Sequence, residues 1–587
     1  MMARRFPPHL LSPEAMTATP LPATSAAPAI AAPVAPVESP RRGFVRTAWL
    51  LFLAGCFYFV CFVLLTAPLI ASFSTRFFTD DGDGLQNVWN IWWVNKAMRL
   101  HQSFWHTNFL HYPQGTTLIG HTLCPFNGLT WTFVVPFFSL VQAHNFVVVF
   151  SFVTGGIGAM LLAHRFSKRW LPSLAGGFVF TFCNYHFAHA QGHLQMVSLE
   201  WLPFFLLAFY DLVHEPRLWR ALLAALVLFL VILCDYYYFF FCVLAGVIVV
   251  VDLVIRRRSL RPLFEGRRLV SLGVFTLLVL ATAGPIVWSL LQASRSERFM
   301  GAHAPATNSL DLLALLIPGG HWRFAKLTEW YWSQLGPKDQ PNNPHEHSVA
   351  MGLSVLFLLI VAWWNRRRPL SADLKLLFGM MLFFFVMALG PDLRIWGWSA
   401  GLPYTPYRLL ETVFPFLKIS GCPVRMVVMV LLCASCIAAY GIKLIAESPG
   451  EGKRLLLAGV AILLFFEYLP DGIPSTSPRV PAYVRVLKNL PAEGCVLDRY
   501  EGSLSRCLYY QTVHEKPMPT LFGFIARMPR TAVQADRDIV DIARAGNFRE
   551  LRGRYRVHYL VMPDQVEADG LKPVREVEGA WIYEILP

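Results

Sequence analysis

Charge is scarce in this chain: acids and bases together make up 15% of 587 residues, against 55% hydrophobic residues and a mean hydropathy of +0.46. A soluble globular chain carries about 25% charged residues, so that class is excluded and a polytopic membrane protein is implied. Acids are scarcer than bases, 37 against 51, for a formal net charge of +14. The bases sit in short clusters between apolar runs, as cytoplasmic anchors do, so nucleic acid is excluded as a partner. Among the eleven cysteines the one C-x-x-C spacing, Cys433 with Cys436, lies inside an apolar run. Seven of them, Cys56, Cys61, Cys183, Cys234, Cys242, Cys433 and Cys436, fall inside apolar runs as small core residues. No internal repeat is evident, and ionisable residues gather at the ends of the apolar runs, which disfavours a transporter. Residues 1–45 have almost no large apolar side chains beyond the first few and are rich in Pro and Ala, which predicts a disordered cytoplasmic leader.

Arg41, Arg42 and Arg46 precede the first apolar run, Ala48 to Ile70. The run is too long, and too far behind the leader, to be a cleaved signal peptide. The positive-inside rule keeps the N-terminus cytoplasmic and sends the next segment outward. Later basic clusters at Arg165 to Arg169, Arg217 to Arg220, Arg256 to Arg268, Arg366 to Arg368 and Lys443 to Arg454 all face inward if the Pro125 to Val141 segment does not cross. The turns Phe187 to Met196 and Asp235 to Tyr238 then face outward, and neither contains Lys or Arg. This parity predicts an all-α polytopic bundle of about eleven crossings over residues 46–470, near 47–71, 145–163, 170–186, 197–213, 219–234, 238–255, 269–292, 350–364, 373–390, 424–446 and 454–469, plus a re-entrant or surface segment. External loops fall at 72–144, 187–196, 294–349 and 391–423. The tail, 471–587, contains no run long enough to span. Its apolar stretches at 494–498, 506–510, 557–562 and 581–586 read as short strands, and Ile539 to Arg552 as helix, predicting a small extracytoplasmic α/β domain. Cys495 and Cys507, its only thiols, could pair in an exported compartment.

Within this frame the acidic knot Phe78-Thr79-Asp80-Asp81-Gly82-Asp83-Gly84 stands out. Three carboxylates in four positions repel one another beside a membrane and persist more easily where they bind a cation, hold a proton or activate a hydroxyl. Alternatively the knot is a solvated loop ending a helix. Leu85, Val88, Trp89, Trp92 and Trp93 follow at helical spacing, an aromatic face suited to the headgroup layer. A second polar constellation, His186, His189, Gln191, His193 and Gln195, followed by Glu200, lies in a short outer turn. It reads as a hydrogen-bonding surface for substrate, as an interfacial histidine cluster satisfied by its neighbours, or as a zinc site. His321, Arg323, Lys326, Arg394, Arg408, Lys418 and Arg425 are the outer-face cations available to a departing phosphate, and each alone also reads as a snorkelling or loop charge.

An external acidic motif after the first span, then a surface helix, an embedded segment and a multispan bundle together resemble the GT-C superfamily of polyprenyl-phosphate-sugar-dependent glycosyltransferases, which includes protein mannosyltransferases and lipid A aminoarabinose transferases. The resemblance is detailed over Ala48 to Glu215 and one of pattern beyond. DGLQNVWNIWW, HYPQG, AHAQGHLQ, PVRM and YYQTVHEKP more closely resemble a set of bacterial membrane proteins described as glycosyltransferase-like. The resemblance implies that Asp83 is the catalytic base and Asp81 the other half of a DxD-like pair, with a divalent cation, magnesium or manganese, as an optional ligand of the two. Where the superfamily has its second acidic element, this chain has Gly192-His193-Leu194-Gln195, a departure. His189, His193, Gln195 and Glu346 are then expected to bind sugar or acceptor, and Arg408, Lys418 and Arg425 the phosphate. The implied activity is inverting transfer from a polyprenyl-phosphate-linked sugar to a glycan, lipid or protein acceptor at the outer face of a bacterial inner membrane, among membrane lipids. A lipid or polysaccharide flippase and a non-catalytic scaffold are the alternatives.

Overall fold

Long apolar runs become helices because each helix satisfies its own backbone hydrogen bonds. The computed structural model describes residues 40–296, 303–335, 344–364, 371–402, 404–414, 417, 421–491, 493–519 and 530–587. The chain falls into two units, Met1–Leu50 and Leu51–Pro587, and the second carries the bundle, loops and tail described below. Most of the leader lies outside the described residues, and the first helix, Pro40–Leu65, begins inside the stretch expected to be disordered.

The bundle is helical, with fewer crossings than the eleven expected. Among the described residues, four helices are long and apolar enough to span: Val45–Leu65, Leu140–Ser167, Tyr236–Arg257 and Pro423–Ala446. A fifth is reached if Gly266–Thr282 and Gly284–Ala293, bent by 47°, form one broken span. The remaining runs expected to cross are shorter helices. Trp170–Thr181, Trp201–His214, Leu218–Cys234, Leu353–Trp363, Ala372–Ala388 and Gly452–Glu467 have 11 to 17 residues, against the roughly 20 needed to cross hydrocarbon. The Pro125–Phe133 helix has nine residues and cannot cross.

Helix Val427–Ala446 forms the centre, buried on nearly every side against Leu140–Ser167, Trp170–Thr181, Leu353–Trp363 and Ala372–Ala388. Close approach requires Gly441, where a Cβ would lie 2.5 Å from the Leu358 carbonyl oxygen.

The aromatic face of helix Asp83–Arg99 is buried in protein and does not meet the headgroup layer. Trp89, Trp92 and Trp93 pack with Leu110, Leu118, Cys507, Leu508 and Met518 in one cluster. Trp89 Nε1 donates to Gln511 Oε1 at 2.7 Å. The tail thus covers a surface that periodicity alone assigned to lipid. Its four-stranded sheet runs Cys495–Asp498, Val557–Met562, Ala580–Ile585, Leu571–Val577 in spatial order, the first pair parallel and the others antiparallel. Residues 506–510, expected as a strand, lie in helix Leu504–His514, which supplies the cover over the tryptophans. Cys495 and Cys507 are both free and buried, in different apolar clusters, so the pairing is not made.

Candidate functional site

Helix Asp83–Arg99 starts where it does because of Asp80. Its Oδ1 accepts the Gly82 and Gly84 N–H groups at 3.0 and 2.9 Å, satisfying donors that a helix N-terminus leaves unpaired. Burial pushes the Asp80 carboxyl up from its ordinary value, against the lowering effect of those two donors. Asp81 turns away to Arg506 of the tail at 2.8 Å, and that guanidinium holds its carboxyl below the usual range. Asp83, 59% exposed, meets His193 Nε2 at 3.1 Å.

The histidine turn is tied to the knot by backbone. Gln191 O accepts Asp80 N at 2.7 Å and Thr79 Oγ1 at 3.0 Å, and Gly192 O accepts Asn87 Nδ2 at 2.8 Å. Gly192 permits this close approach, since a Cβ would sit 2.6 Å from Asp80 Oδ2 and force that carboxylate to shift. The turn is formed by helix Asn184–His189 and the short Leu194–Val197 helix, and it brings His189 Nδ1 to 3.1 Å from His193 Nδ1. One imidazole of that pair donates to the other.

Beyond His189 stands a buried ion pair. Arg425, 3% exposed, grips Glu346, 0% exposed, with Nε on Oε2 at 2.9 Å and a second contact from Nη2 to Oε1. The guanidinium also lies 5.7 Å from the Tyr237 ring centroid. Burial opposes ionisation of Glu346, but Arg425, then His189 and His193, outweigh it and hold the carboxyl well below its ordinary value. Ligand atoms of His189, His193 and Glu346 all lie within 4.8 Å of one another; a second group, His303, Glu346 and Cys422, shares the same carboxylate. Two imidazoles and a carboxylate suit zinc or manganese better than magnesium, and Glu346 would have to share one oxygen between the ion and Arg425. Asp81 and Asp83, the expected cation pair, are engaged separately by Arg506 and His193.

Five of the expected residues therefore lie together: Asp83, His193, His189, Glu346 and Arg425. Gln195 is buried two positions beyond His193, its Oε1 without a hydrogen-bond partner among the described residues. Arg408 is outside the cluster, half exposed on helix Pro406–Val413 and 3.6 Å from Asp392. Lys418 lies outside the described residues. Sequence reasoning missed Arg506 as the partner of Asp81 and the contact of His321 with Gln191. Neither pair is near in sequence, so no local signal announces it. Glu200 is buried and accepts from Ser151 Oγ at 2.7 Å, away from this cluster.

The path of the chain is similar to that of several solved structures. It matches the arabinofuranosyltransferase AftD from Mycobacteria with a TM-score of 0.52 at 12% identity, over 92% of this chain and 41% of that one, and so spans about two-fifths of that protein's length. The archaeal oligosaccharyltransferase AglB from Archaeoglobus fulgidus is similar at 13% identity and a TM-score of 0.41, over 89% of this chain and 70% of that one. ArnT from Cupriavidus metallidurans follows at 12% identity and 0.38, over 92% and 98%. The class that the first of these defines is one of fold alone, a largely helical chain path shared with AftD. Within that class the chain belongs to the family described as "Domain of unknown function (DUF6311)", whose model matches residues 52–467. None of the curated proteins matches it.

Proposed function

We propose that this protein is an inverting GT-C-type glycosyltransferase of the bacterial inner membrane, moving a sugar from a polyprenyl-phosphate carrier to a cell-envelope acceptor on the outer face. The observation that carries the reading is the cluster in which exposed Asp83 meets His193, His193 meets His189, and the ligand atoms of both histidines lie within 4.8 Å of Glu346, itself paired with buried Arg425. An exposed carboxylate oriented by an imidazole is the arrangement a general base needs. The acceptor oxygen attacks the anomeric carbon, its proton passes to Asp83, and the anomeric C–O bond breaks so that polyprenyl phosphate leaves from the opposite face. His193 holds the carboxylate in place and steadies its charge before the proton arrives. Arg425 supplies fixed positive charge toward the phosphate, with Glu346 and the Tyr237 ring fixing the guanidinium plane. Gln195 offers a buried carbonyl oxygen to a sugar hydroxyl. His189, His193 and Glu346 would hold a divalent cation, which would supply further positive charge for the leaving group.

The test is transfer of labelled sugar from a synthetic polyprenyl-phosphate donor by purified protein in lipid discs. General-base catalysis is worth about 10²–10⁴-fold, so Asp83→Asn should slow turnover by that order while inserting normally. Arg425→Gln should weaken donor use more than acceptor use. Transfer at the parental rate by Asp83→Asn would remove the base assignment.

A further inference from the structure

Between the acidic knot and the tail lies a cavity of about 420 Å³. Arg76, Arg479, Arg506, Asp81, Tyr509 and Tyr510 are among its lining residues. Its walls are fixed in position. Phe77 and Thr476 exchange backbone hydrogen bonds at 2.9 Å in both directions, and Thr476 Oγ1 donates to Thr79 O at 2.8 Å. Arg76 reaches across to the Ser475 hydroxyl at 2.9 Å and its carbonyl at 2.6 Å. Both tyrosine hydroxyls are engaged behind the floor, Tyr509 with Pro478 O at 2.7 Å and Tyr510 with Glu501 Oε2 at 2.9 Å. Both rings are buried in the packed core behind the cavity.

The charge of this cavity is unbalanced. Among the described residues one guanidinium of the cavity is paired, that of Arg506, with Asp81 at 2.8 Å and with the Glu501 carboxylate nearby. Asp80 also lines the wall, but its carboxylate is turned to the Gly82 and Gly84 N–H groups. The contacts of Arg76 are to neutral serine oxygens. The Arg479 guanidinium is exposed and has no partner among the described residues. Two guanidinium groups therefore face the opening without a counter-charge, alongside the hydroxyls of Ser475 and Ser477. Planar guanidinium forks match carboxylate and phosphate oxygens, and serine hydroxyls can exchange hydrogen bonds with the hydroxyls of a sugar ring. The same loop carries Asp83 three residues after Asp80.

From this geometry we propose that the cavity is the acceptor subsite and that it takes an anionic glycan, sugar units bearing an oxyanion. The proposal rests on the glycosyltransferase reading above, and the experiment separates the two. Full-length protein in lipid discs, with no donor present, is titrated with tetragalacturonate, with neutral maltotetraose and with inorganic phosphate. Tetragalacturonate should bind, its affinity falling as salt rises, and maltotetraose should bind at least tenfold more weakly. A charge-assisted hydrogen bond is worth about tenfold or more in affinity, so Arg479→Gln should weaken tetragalacturonate by about that factor while eluting as the parent does in gel filtration. Equal affinity for the neutral sugar, an unchanged Arg479→Gln variant, or displacement of tetragalacturonate by equimolar phosphate would each overturn the proposal. Acidic glycan binding without transfer from any polyprenyl-phosphate sugar would sink the enzymatic reading and leave the subsite. Transfer to neutral acceptors without acidic glycan binding would do the reverse.

Discussion

Removing one member of a buried ion pair leaves the other charge stranded, at a cost of about 3–5 kcal/mol. Glu346→Gln should therefore lower the melting temperature of the protein in detergent more than the double variant Glu346→Gln/Arg425→Gln, which strands no charge. Because the folded Glu346 carboxyl is held below its ordinary value, the stability it contributes is complete above the usual glutamate range and is lost as pH falls through the depressed folded value. The melting difference between parent and double variant should stay level from pH 7 to pH 5 and shrink only in stronger acid. Asp81→Asn and Arg506→Gln act on one contact, so their combined effect on transfer should be no larger than the stronger single effect. The order of the acids was only partly legible. The DxD-like spacing singled out Asp81 and Asp83 and left Asp80 outside, yet Asp80 is the carboxylate the fold is built around, because the donors that fix it come from backbone N–H groups with no sequence signature.

At the scale of elements, periodicity in Leu85 to Trp93 was sufficient to place a helix and identify its apolar face, but not what covers it. Its cover, helix Leu504–His514, comes from the far end of the chain, and in the sequence 506–510 reads as a strand. Trp93→Ala should destabilise the protein by about 3–5 kcal/mol, the loss typical of a large aromatic side chain in a core, measurable as a drop in melting temperature with faster proteolysis in the tail. A tail expressed alone from Asp471 should expose Leu508 and its neighbours and bind a hydrophobic dye that the full chain excludes. The same limit governs the run 170–186, expected as one crossing. Its helix stops at Thr181 and restarts at Asn184, and that break carries His186 and His189 into the polar turn.

At the scale of the molecule, the two ends of the bundle differ in kind. Arg165 with Asp211, Arg256 with Asp373 and Arg169 with Glu447 gather where helix Leu140–Ser167 finishes. The Asp83 to Arg425 series lies toward the end where that helix begins, roughly 40 Å away by the rise of 28 helical residues. A reporter fused after Arg258 should therefore be cytoplasmic and one after Asp471 external; the opposite result at either point would invert the polarity. Hydropathy located the apolar runs, but it could not show that several stop short of a crossing, because helix ends depend on local breaks as well as on composition.

The tryptophan face also sets a schedule for biogenesis. Gln511, which caps Trp89, is made 422 residues after it, and at 5–20 residues per second that interval is roughly 20–80 s. For that time the three indoles have Phe109, Leu110 and Leu118 of their own loop against them but lack the cover of Cys507, Leu508 and Met518. A ribosome stalled before Leu504 should display a loop that external chaperones hold and proteases cut, while one stalled well after His514 should release a chain that resists both.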